Sequence, residues 1–179
     1  SEGGRLRTTE EHAALVAGIR EAADAAGVPV WVNGRTDLFM HAEEPREVLD
    51  EAITRLHGEG WIKTGDRVLD IGCGQGLALE LFRSIGAVAT GISLGSDVDV
   101  CRAKGLDVIA MDQNFMTFDD GVFDVLWCRH VLEHSIAPLY TLSEYRRVTK
   151  PGGRIYIEVP APDTSAHHEQ GPNHYSVLP

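Results

Sequence analysis

Val68-Leu69-Asp70-Ile71-Gly72-Cys73-Gly74-Gln75-Gly76 is the stretch whose reading decides the fold. It begins as a buried strand and runs into a turn in which every second residue is glycine. Glycine permits positive φ and lets another group approach the bare main chain closely. Residues 77–85 then read as a helix, so the order is strand, glycine loop, helix N-terminus. In a doubly wound sheet this first turn lies at the carboxyl ends of the strands, where ligands bind. A glycine triplet alone is a weak signal, and its position between strand and helix gives it weight. The stretch lacks the Gly-Lys-Ser/Thr ending of a triphosphate cradle.

The alternation continues outward. Residues 67–71, 87–92, 107–111, 123–127 and 154–159 read as strands, and residues 97–104 and 138–148 as helices. Pro151-Gly152-Gly153 reads as a turn. Upstream, Thr8 and Thr9 cap a helix that Gly27 ends. Val28 to Val32 reads as a short strand, and Pro45 opens a helix to about Leu56, with Val48, Leu49, Ala52, Ile53 and Leu56 on one face. Strands separated by helices imply a parallel sheet with helices on both faces. The tail from Pro160 reads as a loop.

The chain has 179 residues, with 16 Lys and Arg against 27 Asp and Glu, a net charge of −11. That acidity argues against sequence-independent nucleic-acid binding, which needs a basic footprint. With 43% hydrophobic and 24% charged residues the chain reads as globular. No apolar run reaches the roughly 18 residues of a membrane span. Cys73, Cys101 and Cys128 form no CxxC pair, so a cysteine-built zinc site is not expected, and a reducing, cytoplasmic setting is.

With these motifs on the page, the chain from about Trp61 to Pro179 resembles the class I S-adenosylmethionine-dependent methyltransferases, in the branch with a type 11 or 12 domain. The resemblance rests on residues 68–76. Phe123-Asp124-Val125-Leu126-Trp127, His130-Val131-Leu132-Glu133-His134 and Arg147-Val148-Thr149-Lys150-Pro151-Gly152-Gly153 support it, in the family's order. It implies S-adenosyl-L-methionine as cofactor, with Asp70 near its amino group and Gly72, Cys73, Gly74 and Gly76 along its methionine and ribose portions. It also implies that Asp112 and Gln113 meet the adenine, and that Cys128 and Arg129, ending the fourth strand, lie near the cofactor's amino group. The family often grips the ribose with an acid at the end of the second strand. Here Ser93-Leu94 stands in that place, and serine offers a single hydrogen bond in place of a charged clamp. Asp97, a few residues on, is the nearest acid that could compensate.

Methyl transfer is an in-line displacement that depends on holding donor and acceptor close and aligned. An oxygen or nitrogen acceptor benefits from a general base, for which histidine is the usual candidate. His130 and His134 are four apart and are expected to share one helix face. They read as a base or acceptor-binding pair, as a metal pair, or as caps of local backbone. No His-Glu-x-x-His pattern is present, so no metal is assigned. His174 and Tyr175 follow the fifth strand, where the family often places acceptor residues.

Family members continue through two further strands. The chain therefore reads as C-terminally truncated, with its fifth strand at an uncovered edge that favours self-association. Residues 8–56 read differently. Ala22 to Asp37, ending Val32-Asn33-Gly34-Arg35-Thr36-Asp37, resemble part of the isocitrate lyase and phosphoenolpyruvate mutase family, in which Arg35 would match a substrate-carboxylate arginine. One βα unit cannot close an eight-stranded barrel. The expectation is a Rossmann-like doubly wound parallel α/β sheet over residues 58–179, behind a lyase-like helix-strand-helix segment over residues 1–57. The expected reaction is methyl transfer to a small-molecule acceptor. A non-catalytic cofactor-binding remnant and a carboxylate-binding lyase-like fragment are the alternatives.

Overall fold

The structure is a computed structural model that describes residues 45–159, with Glu21 as one further helical residue. In chain order it contains α1 (Pro45–Gly58), β1 (Arg67–Ile71), α2 (Leu77–Ser84), β2 (Val88–Ser93), α3 (Asp97–Ala103) and β3 (Val108–Ala110). There follow β4 (Phe123–Arg129), a 3-10 turn (Leu132–His134), α4 (Pro138–Val148) and β5 (Thr149–Glu158). The expected helix and strand upstream of Pro45, and the tail with His174 and Tyr175, lie outside the described residues, as does any strand after β5.

The five strands form one sheet in the order β3-β2-β1-β4-β5, with every neighbouring pair parallel. The chain steps outward from β1 to β3 and then returns to the other flank of β1. That reversal opens a crevice at the C-terminal ends of β1 and β4, the place where open α/β sheets bind ligands.

Alternation along the strands sorts side chains onto two cores. Val68, Trp127 and Tyr156 pack on one face with Phe82 of α2 and with Leu49, Ile53 and Leu56 of α1. Leu69, Ile71, Leu126 and Cys128 pack on the other with Tyr145 and Val148 of α4. Each fully buried large apolar side chain contributes about 1.5–3 kcal/mol through burial. Trp127 and Tyr156 stack at 3.9 Å between ring centres, and Phe82 meets Trp127 edge-on at 5.5 Å. Such contacts add roughly 0.5–1.5 kcal/mol beyond area. Helix α1 is thus a structural part of this layer.

Pro138 sits in the first turn of α4, where its missing N–H costs nothing. In the last turn Arg147 donates to the carbonyls of Met116 and Phe118 and to Asp120 and Glu144, which fastens the loop before β4 onto the helix.

The structure corrects the end of the sheet. Pro151-Gly152-Gly153 is not a separate turn but a bulge inside β5: Phe123 pairs with Thr149 while Val125 pairs with Arg154. Gly152 has φ +77°, which permits this extra loop of strand. Strand β5 lies outermost among the described residues. Nothing among the described residues supports the expected self-association.

Candidate active site

Strand β1 is buried from Val68 to Ile71 and delivers Asp70 to the crevice, 4% exposed. Oδ2 of Asp70 has no hydrogen-bond partner among the described residues. Burial pushes its carboxyl up to about 8, with the nearby Arg129 charge acting in the opposite direction. A buried acid with an orphan oxygen is a costly arrangement, and it suits a cationic hydrogen-bond donor arriving from outside.

The glycine loop turns around this carboxyl. Gly72 has φ +64°, and a Cβ there would lie 2.4 Å from Cγ2 of Val131. Gly74 has φ +50°, and a Cβ there would meet nothing within 4 Å, so its main chain borders open space. Gly76 is different: its Cα packs under Leu106 and Cys101, which makes it a packing position at the start of α2. Cys73 is held by its amide, which donates to the Ile92 carbonyl at 3.0 Å. Its side chain is buried with Leu79, Val98 and Cys101, and burial pushes its thiol well above the usual range.

The other predicted residues divide by what their side chains already do. Ser93 is buried at the end of β2, Leu94 beside it is exposed, and Asp97 opens α3. Asp112 accepts from the amide and side chain of Asn114 at 2.7 and 2.8 Å. Gln113 is buried, donates to the Val131 carbonyl at 3.0 Å and accepts from the Tyr145 hydroxyl at 2.5 Å. One N–H and one lone pair of its amide are therefore engaged by the protein. The Cys128 thiol, pushed up to about 12 by burial, lies 3.3 Å from the same hydroxyl, facing α4 and away from the crevice. Any ligand contact by Cys73 or Cys128 must come from the backbone.

His130 and His134 do not share a helix face. His130 precedes the 3-10 turn in a left-handed conformation, φ +56°, rare for a residue with a Cβ. His134 is exposed and closes that turn through its amide, which donates to the Val131 carbonyl. Among the described residues no group of three or more His, Cys, Asp or Glu could hold a metal ion.

Two acids that sequence reasoning missed organise His130. Its Nε2 lies 2.9 Å from Oε1 of Glu158, and its amide donates to the Glu158 carbonyl at 2.8 Å. Glu158 also accepts from Nε of Arg129 at 3.0 Å and from the Tyr156 hydroxyl at 2.8 Å. Buried Glu133 stands 3.9 Å from Nδ1 of His130, and its Oε2 has no hydrogen-bond partner among the described residues. The available signal for Glu158 was its place at the C-terminal end of a strand, the ligand-binding end of such sheets.

A family model described as a methyltransferase domain matches residues 40–179. The ubiquinone biosynthesis O-methyltransferase of Xanthomonas oryzae pv. oryzae is 36% identical over 126 residues, 66% of this chain and 50% of its own length. That of Pseudomonas aeruginosa is 36% identical over 101 residues, 52% of this chain and 44% of its own. The chain thus spans about half the length of the curated relatives it matches. A SAM-dependent methyltransferase from Archaeoglobus fulgidus superposes with a TM-score of 0.64 at 26% identity, over 79% of this chain and 65% of its own. None of these comparisons supports the lyase resemblance, and the domain match takes in residues 40–57. No helix among the described residues is long and apolar enough to cross a membrane.

Proposed function

This chain belongs to the methyltransferase-domain family, whose class I members use S-adenosyl-L-methionine, and on that premise we propose that it methylates a hydroxyl of a small-molecule acceptor. The cofactor supplies a methyl group on a cationic sulfur. The single observation that carries the reading is the buried, unpartnered oxygen of Asp70 beside the open main chain of Gly74. An ammonium donor satisfies that oxygen, and an acidic wall suits a cationic ligand. The backbone at Gly72, Cys73 and Gly74 borders the rest of the same molecule, and Ser93, Leu94, Asp112, Cys128 and Arg129 complete the rim. In this reading Gln113 lies on the same rim, tied to it through the Val131 carbonyl.

His130 is the base in this reading. Glu158 orients its imidazole, and the ring stands at the end of β4 next to the crevice. It would take the acceptor's hydroxyl proton as the methyl carbon's bond to oxygen forms and its bond to the cationic sulfur breaks, which leaves that sulfur as a neutral thioether. The choice of oxygen follows from the relatives named as O-methyltransferases.

Two measurements test the proposal. Calorimetric titration with S-adenosyl-L-homocysteine should show saturable binding that Asp70→Asn removes. Incubation with methyl-labelled cofactor and either 3,4-dihydroxybenzoate or a matched aromatic amine should label the hydroxyl compound. Labelling of the amine alone would overturn the oxygen assignment.

A further inference from the structure

Three charged residues cross the ligand-binding end of the sheet in a row. Val68, Trp127 and Tyr156 share one face, so the residues two positions on also share it: Asp70 on β1, Arg129 on β4 and Glu158 on β5. Arg129 and Glu158 are direct register partners, and Arg129 Nε donates to Glu158 Oε1 at 3.0 Å. Arg129 also carries its charge close enough to act on Asp70. Yet Asp70 keeps an oxygen without a partner. A guanidinium beside a buried, unsatisfied carboxyl gains by pairing with its ionised form.

Glu158 explains why that pairing does not form. Its Oε2 accepts from the Tyr156 hydroxyl at 2.8 Å, and Oε1 also lies 2.9 Å from Nε2 of His130. Tyr156 is fixed in turn by its stack on Trp127. The carboxylate is therefore held from β5 and is only 9% exposed on its side chain, where its attraction for Arg129 is little screened. We infer that Glu158 is a positioning residue for the cofactor site: by retaining Arg129 at the β4–β5 side, it keeps the orphan oxygen of Asp70 unclaimed for the ligand's ammonium group. The inference rests on the reading that Asp70 receives that group. Without Glu158, Arg129 swings to Asp70 and competes with the ligand from inside the protein.

The test is a double-variant cycle read by calorimetric titration with S-adenosyl-L-homocysteine, with a thermal melt of each variant. Glu158→Gln in the otherwise unchanged chain should weaken binding about tenfold, a coupling of ordinary size for contacting charges. The same substitution made in an Arg129→Gln background should change affinity by less than about twofold, since no competitor remains. Equal losses in both backgrounds would mean that Glu158 merely supports the fold, and would overturn the inference. Should Glu158→Gln not fold, Tyr156→Phe serves, because it removes one anchor of Glu158. It should weaken binding only where Arg129 is present, and a loss independent of Arg129 would overturn the inference. Asp70→Asn separates the two readings. If it binds the ligand as the parent does, the Asp70 assignment falls and this inference falls with it. If it abolishes binding while the cycle shows no coupling, only the role of Glu158 falls.

Discussion

Val131 closes directly over Gly72: a Cβ added to that glycine would lie 2.4 Å from Cγ2 of Val131. The contact joins the glycine loop after β1 to the segment after β4, across the crevice of the sheet. Gly74, two residues on, has no such neighbour. The two glycines should therefore fail in different ways. Gly72→Ala must relieve both the clash and the left-handed backbone, which alone costs about 1–3 kcal/mol, so its melting temperature should fall clearly. Gly74→Ala suffers only the backbone cost of roughly 1–2 kcal/mol. It should melt closer to the parent and still lose S-adenosyl-L-homocysteine binding, because the methyl fills the open space. Intact binding by Gly74→Ala would remove that main chain from the site.

Asp70 makes stability and ligand binding respond oppositely to pH. Its carboxyl is raised from 3.8 to about 8 in the folded chain, so the folded state holds a proton that the unfolded state has released. Its contribution to stability is full below pH about 4 and is lost as pH rises through about 8. The ligand-free protein should lose melting temperature across that window, and Asp70→Asn should flatten the loss. Binding of a cationic ligand favours the ionised form, so affinity should rise across the same window. A parent and variant with parallel stability profiles would show that Asp70 does not titrate this way.

The Tyr145 hydroxyl is the hub between Gln113 and Cys128, under the loop that follows β3. Tyr145→Phe strands the Gln113 oxygen in a buried setting, at a cost of about 1–3 kcal/mol. Urea unfolding should show that loss with an unchanged slope. A variant as stable as the parent would mean that Gln113 re-pairs without Tyr145.

His130→Asn keeps a residue tolerant of the left-handed backbone and removes the base. Methyl transfer to a hydroxyl should fall by about 10²–10⁴, far more than any loss of cofactor affinity that follows from the missing contact to Glu158. An equal fall in cofactor affinity would recast His130 as a binding residue.

Much of the fold was legible because local patterns were consistent. The strand at residues 67–71 and the helix at residues 138–148 were read with their observed bounds, since buried apolar runs and a helix-opening proline are local features. The left-handed glycines were also legible, because glycine marks such backbone wherever it occurs. The site was less so. His130 and His134 looked like helix partners four residues apart, but the chain turns left-handed at His130 and makes only a 3-10 turn after it. Gln113, expected at the adenine, is also tied to Tyr145, 32 residues away, and to Val131, contacts that no local pattern announces.

What the sequence determined alone was the order of strands and helices and the glycine loop, set by backbone preference and hydrophobic period over short spans; the place of Asp70 in the site came from the family resemblance. Tertiary structure decided which charges meet. The pairing of Arg129 with Glu158 spans 29 residues and follows from the register of β4 on β5. Arg129 is bonded to Glu158 while an oxygen of Asp70 is left without a partner among the described residues. Coulomb attraction depends on distance in space, and no local pattern encodes the distance between strands that meet only after the sheet has formed.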